Sequence, residues 1–161
     1  ASVSEIAAAV EAGLRFCTHL GNGVPRVLHR HDNIIQRLLA EDRLTAFLIP
    51  DGLHLLPHVV KNMCRSKGPE GILFASDCMA AAGAPPGRYR LGALEVESHR
   101  DGRVLQPGGQ LLAGSSCCLD EAPDRISRWT GLPVDEAAAR CGAKVAQAFG
   151  FPVNSDFSDT P

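Results

Sequence analysis

The first 75 residues alternate between short apolar runs and stretches in which apolar residues recur at helical spacing. Continuous apolar runs of this length predict buried strands, here at residues 14–18, 44–49 and 71–75. The segments before and between them predict helices at residues 3–12, 33–40 and 57–67. An order of strands separated by helices, with strands apolar throughout, predicts an α/β fold in which helical crossovers join a parallel sheet.

The pattern changes after residue 77, where the chain becomes rich in Ala, Gly and Pro. Irregular alternation around Asp101-Gly102 and Gly108-Gly109 predicts one or two β-hairpins outside the main sheet, at about residues 88–112. Helical spacing returns at residues 116–129 and 134–149.

The domain organisation that follows is a single unit over residues 1–150 with a hairpin insertion. Residues 151–161 are polar and bounded by prolines, which predicts a loose tail.

Composition and charge indicate which partners and which cellular compartment to expect. The 161 residues are 45% hydrophobic and 21% charged, with a formal net charge of -2, so nothing indicates a nucleic-acid or membrane surface. The opening stretch carries Glu5 and Glu11 and lacks a basic leader. Six cysteines without zinc-like CxxC spacing favour reduced, buried thiols. These features favour a cytoplasmic protein.

Polar residues stand where each of the three predicted strands ends. His19 follows the first strand, Asp51 and His54 follow the second, and Asp77 follows the third. Parallel α/β proteins place their chemistry at the carboxyl ends of their strands. Taken singly, each residue has an ordinary structural explanation: a core histidine, a capping aspartate, or a tight turn at Asp51-Gly52.

Four segments carry a resemblance to a known family, namely Thr18–Pro25 (THLGNGVP), Asp51–His54 (DGLH), Ser76–Gly83 (SDCMAAAG) and Leu112–Ser116 (LAGSS). In this order and at this spacing the chain resembles the carboxyl-terminal half of N-acetylglucosamine-6-phosphate deacetylases, members of the metal-dependent amidohydrolase superfamily. The resemblance implies a partial (β/α)8 TIM barrel, with strands six to eight and their helices, plus a β-hairpin insertion.

The family assigns roles to matching positions. His19 resembles the ligand of a catalytic divalent metal, expected to be zinc, and Asp77 resembles the catalytic carboxylate that carries a proton to the leaving amine. Asn22 and the Gly23 backbone match positions that hold the sugar phosphate, and His54 matches a substrate-contacting histidine.

Arg30 matches a phosphate-contacting arginine that the family often offers from a neighbouring subunit, which implies a homodimer. Its structural alternative is a solvated surface charge. The chain departs from the family at Gly21, where a bulky residue is usual, and at Ser76, where a threonine is usual. Ser115 and Ser116 are expected to cap a helix beside the site.

The implied reaction is hydrolysis of the acetamide of N-acetylglucosamine 6-phosphate to the amine and acetate. A complete barrel takes about 250 residues, so the resemblance implies a fragment whose other metal ligands, a glutamate and a histidine, belong to an upstream part. We expect such a fragment to bind metal weakly and to turn over poorly alone. Two alternatives stay open: a non-catalytic fragment stabilised by association, and an amidohydrolase for another N-acyl sugar or cyclic amide.

Overall fold

The computed structural model describes residues 1–153, within which the chain forms six helices and seven strands. The helices are α1 (Val3–Glu11), α2 (Ile34–Ala40), α3 (Pro57–Lys67), α4 (Ala122–Thr130), α5 (Val134–Cys141) and α6 (Ala143–Ala148). The strands are β1 (Phe16–Cys17), β2 (Thr45–Leu48), β3 (Ile72–Phe74), β4 (Gly87–Leu91), β5 (Leu94–Ser98), β6 (Arg103–Leu105) and β7 (Leu112–Ser115).

The first three strands form a parallel sheet in the order β1-β2-β3. Phe16 pairs with Thr45, and Ala46 pairs with Ile72, so β2 is the central strand. Helices α2 and α3 supply the connections between the parallel strands. The predicted α/β fold with a parallel sheet is confirmed.

Local sequence signals set where the first helices begin. Ser2 and Glu5 form a capping box at α1, in which the Ser2 side chain accepts from the Glu5 backbone N–H. The Asn33 side chain accepts from the Gln36 backbone N–H and starts α2. Pro57 occupies the first turn of α3, where its missing N–H costs no hydrogen bond. These boundaries lie within a residue or two of the predicted ones.

Two predicted helix boundaries are wrong. The helix predicted to begin at residue 116 begins at Ala122, because Pro123 is tolerated in a first turn but would break the interior of a longer helix. The helix predicted over residues 134–149 is two helices that meet at Gly142, whose backbone (φ -139°, ψ -86°) is not helical.

The segment for which hairpins were predicted folds as a four-stranded antiparallel sheet in the order β4-β5-β6-β7. An isolated parallel bridge between Cys78 and Ser115 joins the end of β7 to the segment that follows β3. This bridge brings the antiparallel sheet to the carboxyl edge of the parallel one.

Apolar side chains form two separate cores. The larger core packs β2 and β3 against α3, α4 and α5, with Leu48, Val60, Ile72 and Ile126 at its centre. The smaller core lies under the antiparallel sheet and contains Met79, Ala81, Val96 and Val104. Within residues 1–153 no helix combines the length and the apolar character that crossing a bilayer requires. Of the predicted tail, residues 154–161 lie outside the described part.

Candidate active site

Two residues at strand ends have a backbone conformation that side chains rarely adopt. His19, after β1, has φ 56°, and Asp77, after β3, has φ 51°; they are the two non-glycine residues with positive φ in the described part of the chain. Such a conformation is uncommon outside glycine, asparagine and aspartate, and it clusters at functional sites. Here it turns both side chains toward a shared position.

His19, His54 and Asp77 converge at the carboxyl edge of the parallel sheet. His19 Nε2 lies 3.6 Å from Asp77 Oδ1, and His54 Nε2 lies 3.9 Å from Asp77 Oδ2. The His54 side chain is 7% exposed, whereas the His19 side chain is 47% exposed. The carboxylate therefore stands between a fixed, buried imidazole and an open one.

Asp51 fixes the orientation of His54. Its Oδ2 lies 2.6 Å from His54 Nδ1, and its Oδ1 accepts from the backbone N–H groups of Leu53 and His54, both at 2.8 Å. Burial raises the pKa of Asp51, but hydrogen bonds from the His54 ring and from these two N–H groups outweigh it and lower the pKa below 3.8. An ionised carboxylate only accepts, so His54 Nδ1 donates and Nε2 faces Asp77.

The sequence interpretation of Asp51 as a turn residue is therefore incomplete. The turn is present, but the carboxylate also orients an imidazole. Arg125 adds support from behind, because its Nη1 donates to the Pro50 carbonyl at 3.1 Å and to Cys117 Sγ at 3.0 Å. Nothing in the sequence pattern places Arg125, on α4, beside the end of β2, because that contact spans 75 residues.

A cavity of about 530 Å³ opens at this edge, a size within the range of small-molecule sites. It is lined by His19, Asn22, Gly23, His54, Asp77, Gln110, Leu111, Leu112 and Gly114. Five of the residues named from the sequence are thus brought together. Gln110 and Leu111, just before β7, are lining residues that sequence reasoning missed.

Asn22 lines the cavity and carries a buried polar atom that is unpaired within the described residues. Its Nδ2 is buried and has no hydrogen-bond partner among the described residues. A buried amide donor without a partner carries an unfavourable free energy. Arg30, by contrast, is exposed and does not line the cavity.

Glycines permit the close packing around these residues. Gly21 has φ 94°, and a Cβ there would lie 2.8 Å from Leu55 Cδ2 and 3.1 Å from Met63 Cε. The space that a side chain at position 21 would need is therefore occupied by Leu55 and Met63.

Ser115, which ends β7, and Ser116, which follows it, do not cap a helix, contrary to the prediction. Ser115 Oγ accepts from the Cys117 backbone N–H at 2.8 Å, and Ser116 Oγ donates to the Gly102 carbonyl at 2.8 Å. Ser115 therefore stabilises the turn that follows β7, and Ser116 ties that turn to Gly102. The next helix begins only at Ala122.

The cavity offers only part of the ligand set that a divalent metal needs. Within residues 1–153, no three His, Cys, Asp or Glu side chains are grouped closely enough to hold a metal ion. His19 nevertheless fits a ligand role: Thr18 Oγ1 lies 2.7 Å from its Nδ1, which leaves Nε2 as the nitrogen that faces Asp77 and the cavity.

Comparisons with known proteins point to one family. An N-acetylglucosamine-6-phosphate deacetylase of Lysinibacillus sphaericus is 31% identical over 147 residues, which are 91% of this chain and 38% of that relative. A protein of Escherichia coli strain K12, provisionally named an N-acetylgalactosamine-6-phosphate deacetylase, is 33% identical over 132 residues, 82% of this chain and 77% of that relative. No protein-family model matches the chain.

A solved structure agrees with these relatives. It is an N-acetyl-D-glucosamine-6-phosphate deacetylase variant from Mycobacterium smegmatis in complex with N-acetyl-D-glucosamine-6-phosphate. It superposes with a TM-score of 0.82 and 29% identity, over 94% of this chain and 41% of that one.

The fold and the site first define a class, a mixed α/β protein that gathers histidine and aspartate at the carboxyl edge of a parallel sheet. Within that class, the chain belongs to the N-acetylglucosamine-6-phosphate deacetylase family. It spans 38% of the length of the Lysinibacillus sphaericus relative.

Proposed function

We propose that this chain carries part of the active site of an enzyme that hydrolyses the acetamide of N-acetylglucosamine 6-phosphate to glucosamine 6-phosphate and acetate. The observation that carries the proposal is the convergence of His19, His54 and Asp77 on one cavity that Asn22 also lines. The Mycobacterium smegmatis relative is a complex with this sugar phosphate, which supports the choice of substrate.

In this proposal Asp77 moves the proton. Its carboxylate is partly exposed and accepts no hydrogen bond from the described residues, since both neighbouring imidazole nitrogens lie beyond 3.5 Å. It can accept a proton from the attacking water and pass it to the amine as the C–N bond breaks.

His54 would act on the carbonyl. Asp51 and Arg125 hold the end of β2 and the imidazole, so Nε2 presents one fixed polar atom to the cavity. A polar group that is already oriented stabilises developing charge without the cost of reorganising during the reaction.

Asn22 and Gly23 would receive the phosphate, because both line the cavity and the Asn22 Nδ2 donor is unpaired within the described residues. Arg30 would act from the neighbouring subunit of a homodimer, where its planar guanidinium suits phosphate oxygens.

We assign His19 as a ligand of a divalent metal, expected to be zinc, with the remaining ligands supplied from outside this chain. Such an ion would polarise the carbonyl and lower the pKa of a coordinated water to about 7. Imidazole is a favourable donor for zinc, and the contact between His19 Nδ1 and Thr18 fixes the ring.

The same proposal covers the architecture. The parallel sheet of β1, β2 and β3 would be strands six to eight of a TIM barrel, the antiparallel sheet would be an insertion, and residues 151–161 would be a tail. A three-stranded parallel sheet with an open edge needs further strands or a partner to cover it. A cytoplasmic homodimer remains our expectation for the whole protein.

Acetate release tests this proposal. The purified chain with added zinc is expected to release acetate slowly from N-acetylglucosamine 6-phosphate, and Asp77→Asn is expected to release none. N-acetylgalactosamine 6-phosphate should be assayed in parallel, because one relative is provisionally named for it. Equal rates for the chain and for Asp77→Asn would contradict the role of Asp77. A tight one-to-one zinc complex would contradict the partial ligand set.

A further inference from the structure

A second cavity, of about 280 Å³, lies between α3 and α5. Its lining includes three cations, Lys61, Arg65 and Arg140, and no carboxylate. Gly68 and Pro69 form part of its rim and precede β3, whereas Asp77 follows β3. The cavity therefore lies toward the amino end of the parallel sheet and shares no lining residue with the sugar-phosphate cavity.

Arg140 is the most informative of these residues. It is 2% exposed, and within the described residues its guanidinium makes one hydrogen bond, from Nε to Glu136 Oε1 at 2.8 Å. The same Glu136 oxygen also accepts from Lys144 Nζ at 2.9 Å. A guanidinium has five N–H donors, so most of the donors of a buried cation are left without a protein acceptor beside an open cavity.

Unlike Arg140, which pairs with Glu136, the other two cations have no counter-ion among the described residues. Lys61 and Arg65 are four residues apart on α3, an arrangement that places like charges side by side and destabilises a helix. Neither forms an ion pair with the described residues. Burial raises the pKa of the Cys64 thiol to about 11, and Arg140 acts against that rise, so its charge reaches the lining of the cavity.

Arg140 pairs with Glu136, but its remaining donors have no protein acceptor among the described residues, and gathering two more cations beside it adds like-charge repulsion in the empty protein. An anion in the cavity would satisfy the donors of Arg140 and neutralise the α3 pair at the same time. Two of the three cations are arginines, whose planar forks bind the oxygens of phosphate bidentately.

We propose that the cavity between α3 and α5 is a second anion site that binds free phosphate or the phosphate of a small metabolite. It is independent of the proposed deacetylase site, because the two cavities open at different ends of the sheet.

Thermal unfolding of the 161-residue chain with increasing inorganic phosphate tests this site, with sodium chloride used to hold ionic strength constant. Ligand binding to the folded state raises the melting temperature in a saturable way. The double variant Lys61→Gln/Arg65→Gln should weaken the apparent phosphate affinity at least about tenfold, since charge-assisted bonds are lost. The thermal unfolding transition of this double variant without phosphate shows whether the variant folds.

Matched controls make the result specific. Arg88→Gln/Arg90→Gln removes the same charge from exposed positions on β4 and should keep the wild-type phosphate response. Asn22→Ala should keep the part of the response that Lys61→Gln/Arg65→Gln removes, because Asn22 belongs to the other cavity. A hexose 6-phosphate with higher affinity than phosphate would identify a phosphorylated metabolite as the ligand, and equal affinity would identify free phosphate.

The proposed site would be wrong if phosphate raised the melting temperature of the wild-type chain no more than chloride does. It would also be wrong if the rise survived in Lys61→Gln/Arg65→Gln, or if it were lost completely in Asn22→Ala.

Discussion

At the scale of single residues, the site depends on backbone positions that sequence patterns identify only indirectly. The motifs around His19 and Asp77 predict both residues, but their positive φ values are visible only in the structure. The partnership of Asp51 with His54 was underestimated, because an Asp-Gly pair is typical of any tight turn. Asn22 was named for the phosphate, while its unpaired amide is visible only in three dimensions.

The Asp51–His54 pair predicts a pH-dependent stability difference. Because folding lowers the pKa of Asp51, its stabilising contribution is present above pH 3.8 and is lost as the pH falls through the lowered pKa. Asp51→Asn should reduce the free energy of unfolding by about 1–3 kcal/mol at neutral pH. Urea denaturation between pH 7 and pH 2.5 should show the gap to wild type narrowing below pH 3.8.

Asp101→Asn is the control for that measurement, because Asp101 makes a similar turn with Arg103 but its side chain is 52% exposed. It should lose less stability than Asp51→Asn. A gap between Asp51→Asn and wild type that stays constant with pH would contradict the assignment.

Gly21 predicts a steric penalty in addition to a conformational one. Gly21→Ala would have to place a Cβ 2.8 Å from Leu55 Cδ2, and φ 94° is itself unfavourable for alanine. Gly13→Ala is the matched control, because Gly13 has φ 104° and open space around its Cβ position. We expect about 1–2 kcal/mol of destabilisation for Gly13→Ala and about 1–3 kcal/mol more for Gly21→Ala, measured by chemical denaturation. Equal losses of stability in the two variants would show that Leu55 and Met63 move aside at no cost, which would contradict the steric penalty.

At the scale of elements, the sequence predicted the helices that carry clear start signals and misplaced those whose ends depend on one residue. Ser2, Asn33 and Pro57 mark helix starts through hydrogen bonds or a fixed φ. The start of α4 was misjudged because apolar spacing continues upstream of Pro123, although a proline there excludes a longer helix. The break at Gly142 leaves the apolar periodicity intact, so periodicity could not reveal it.

Asn33 connects α2 to the loop that follows the site. Its Oδ1 accepts from the Gln36 backbone N–H at 3.0 Å, and its Nδ2 donates to the His29 carbonyl at 2.9 Å. Asn33→Ala should cost about 1 kcal/mol of stability, measured by thermal or urea unfolding. Asn33→Asp keeps the cap and loses only the donor, so it should retain most of the stability. A larger loss in Asn33→Asp than in Asn33→Ala would contradict the capping role.

At the scale of the whole molecule, the parallel sheet could be predicted and the antiparallel sheet could not be predicted in full. Continuous apolar runs identify buried parallel strands, whereas the register of β4 to β7 depends on turns and on the contacts of β7 with Asp77 and Met79. That register puts Gln110 and Leu111 on the wall of the cavity. One wall of the proposed active site is therefore set by long-range pairing rather than by a local motif.

The most direct test of the central claim is a titration of the chain with N-acetylglucosamine 6-phosphate, followed through the ring resonances of His19 and His54. We predict saturable shifts of both rings, with affinity weakened at least about tenfold for unphosphorylated N-acetylglucosamine or in Asn22→Ala. Gln36→Ala, on α2 and outside the cavity, should bind as wild type. Rings that do not respond, or equal affinity for the two sugars, would contradict a sugar-phosphate site between His19, His54 and Asp77.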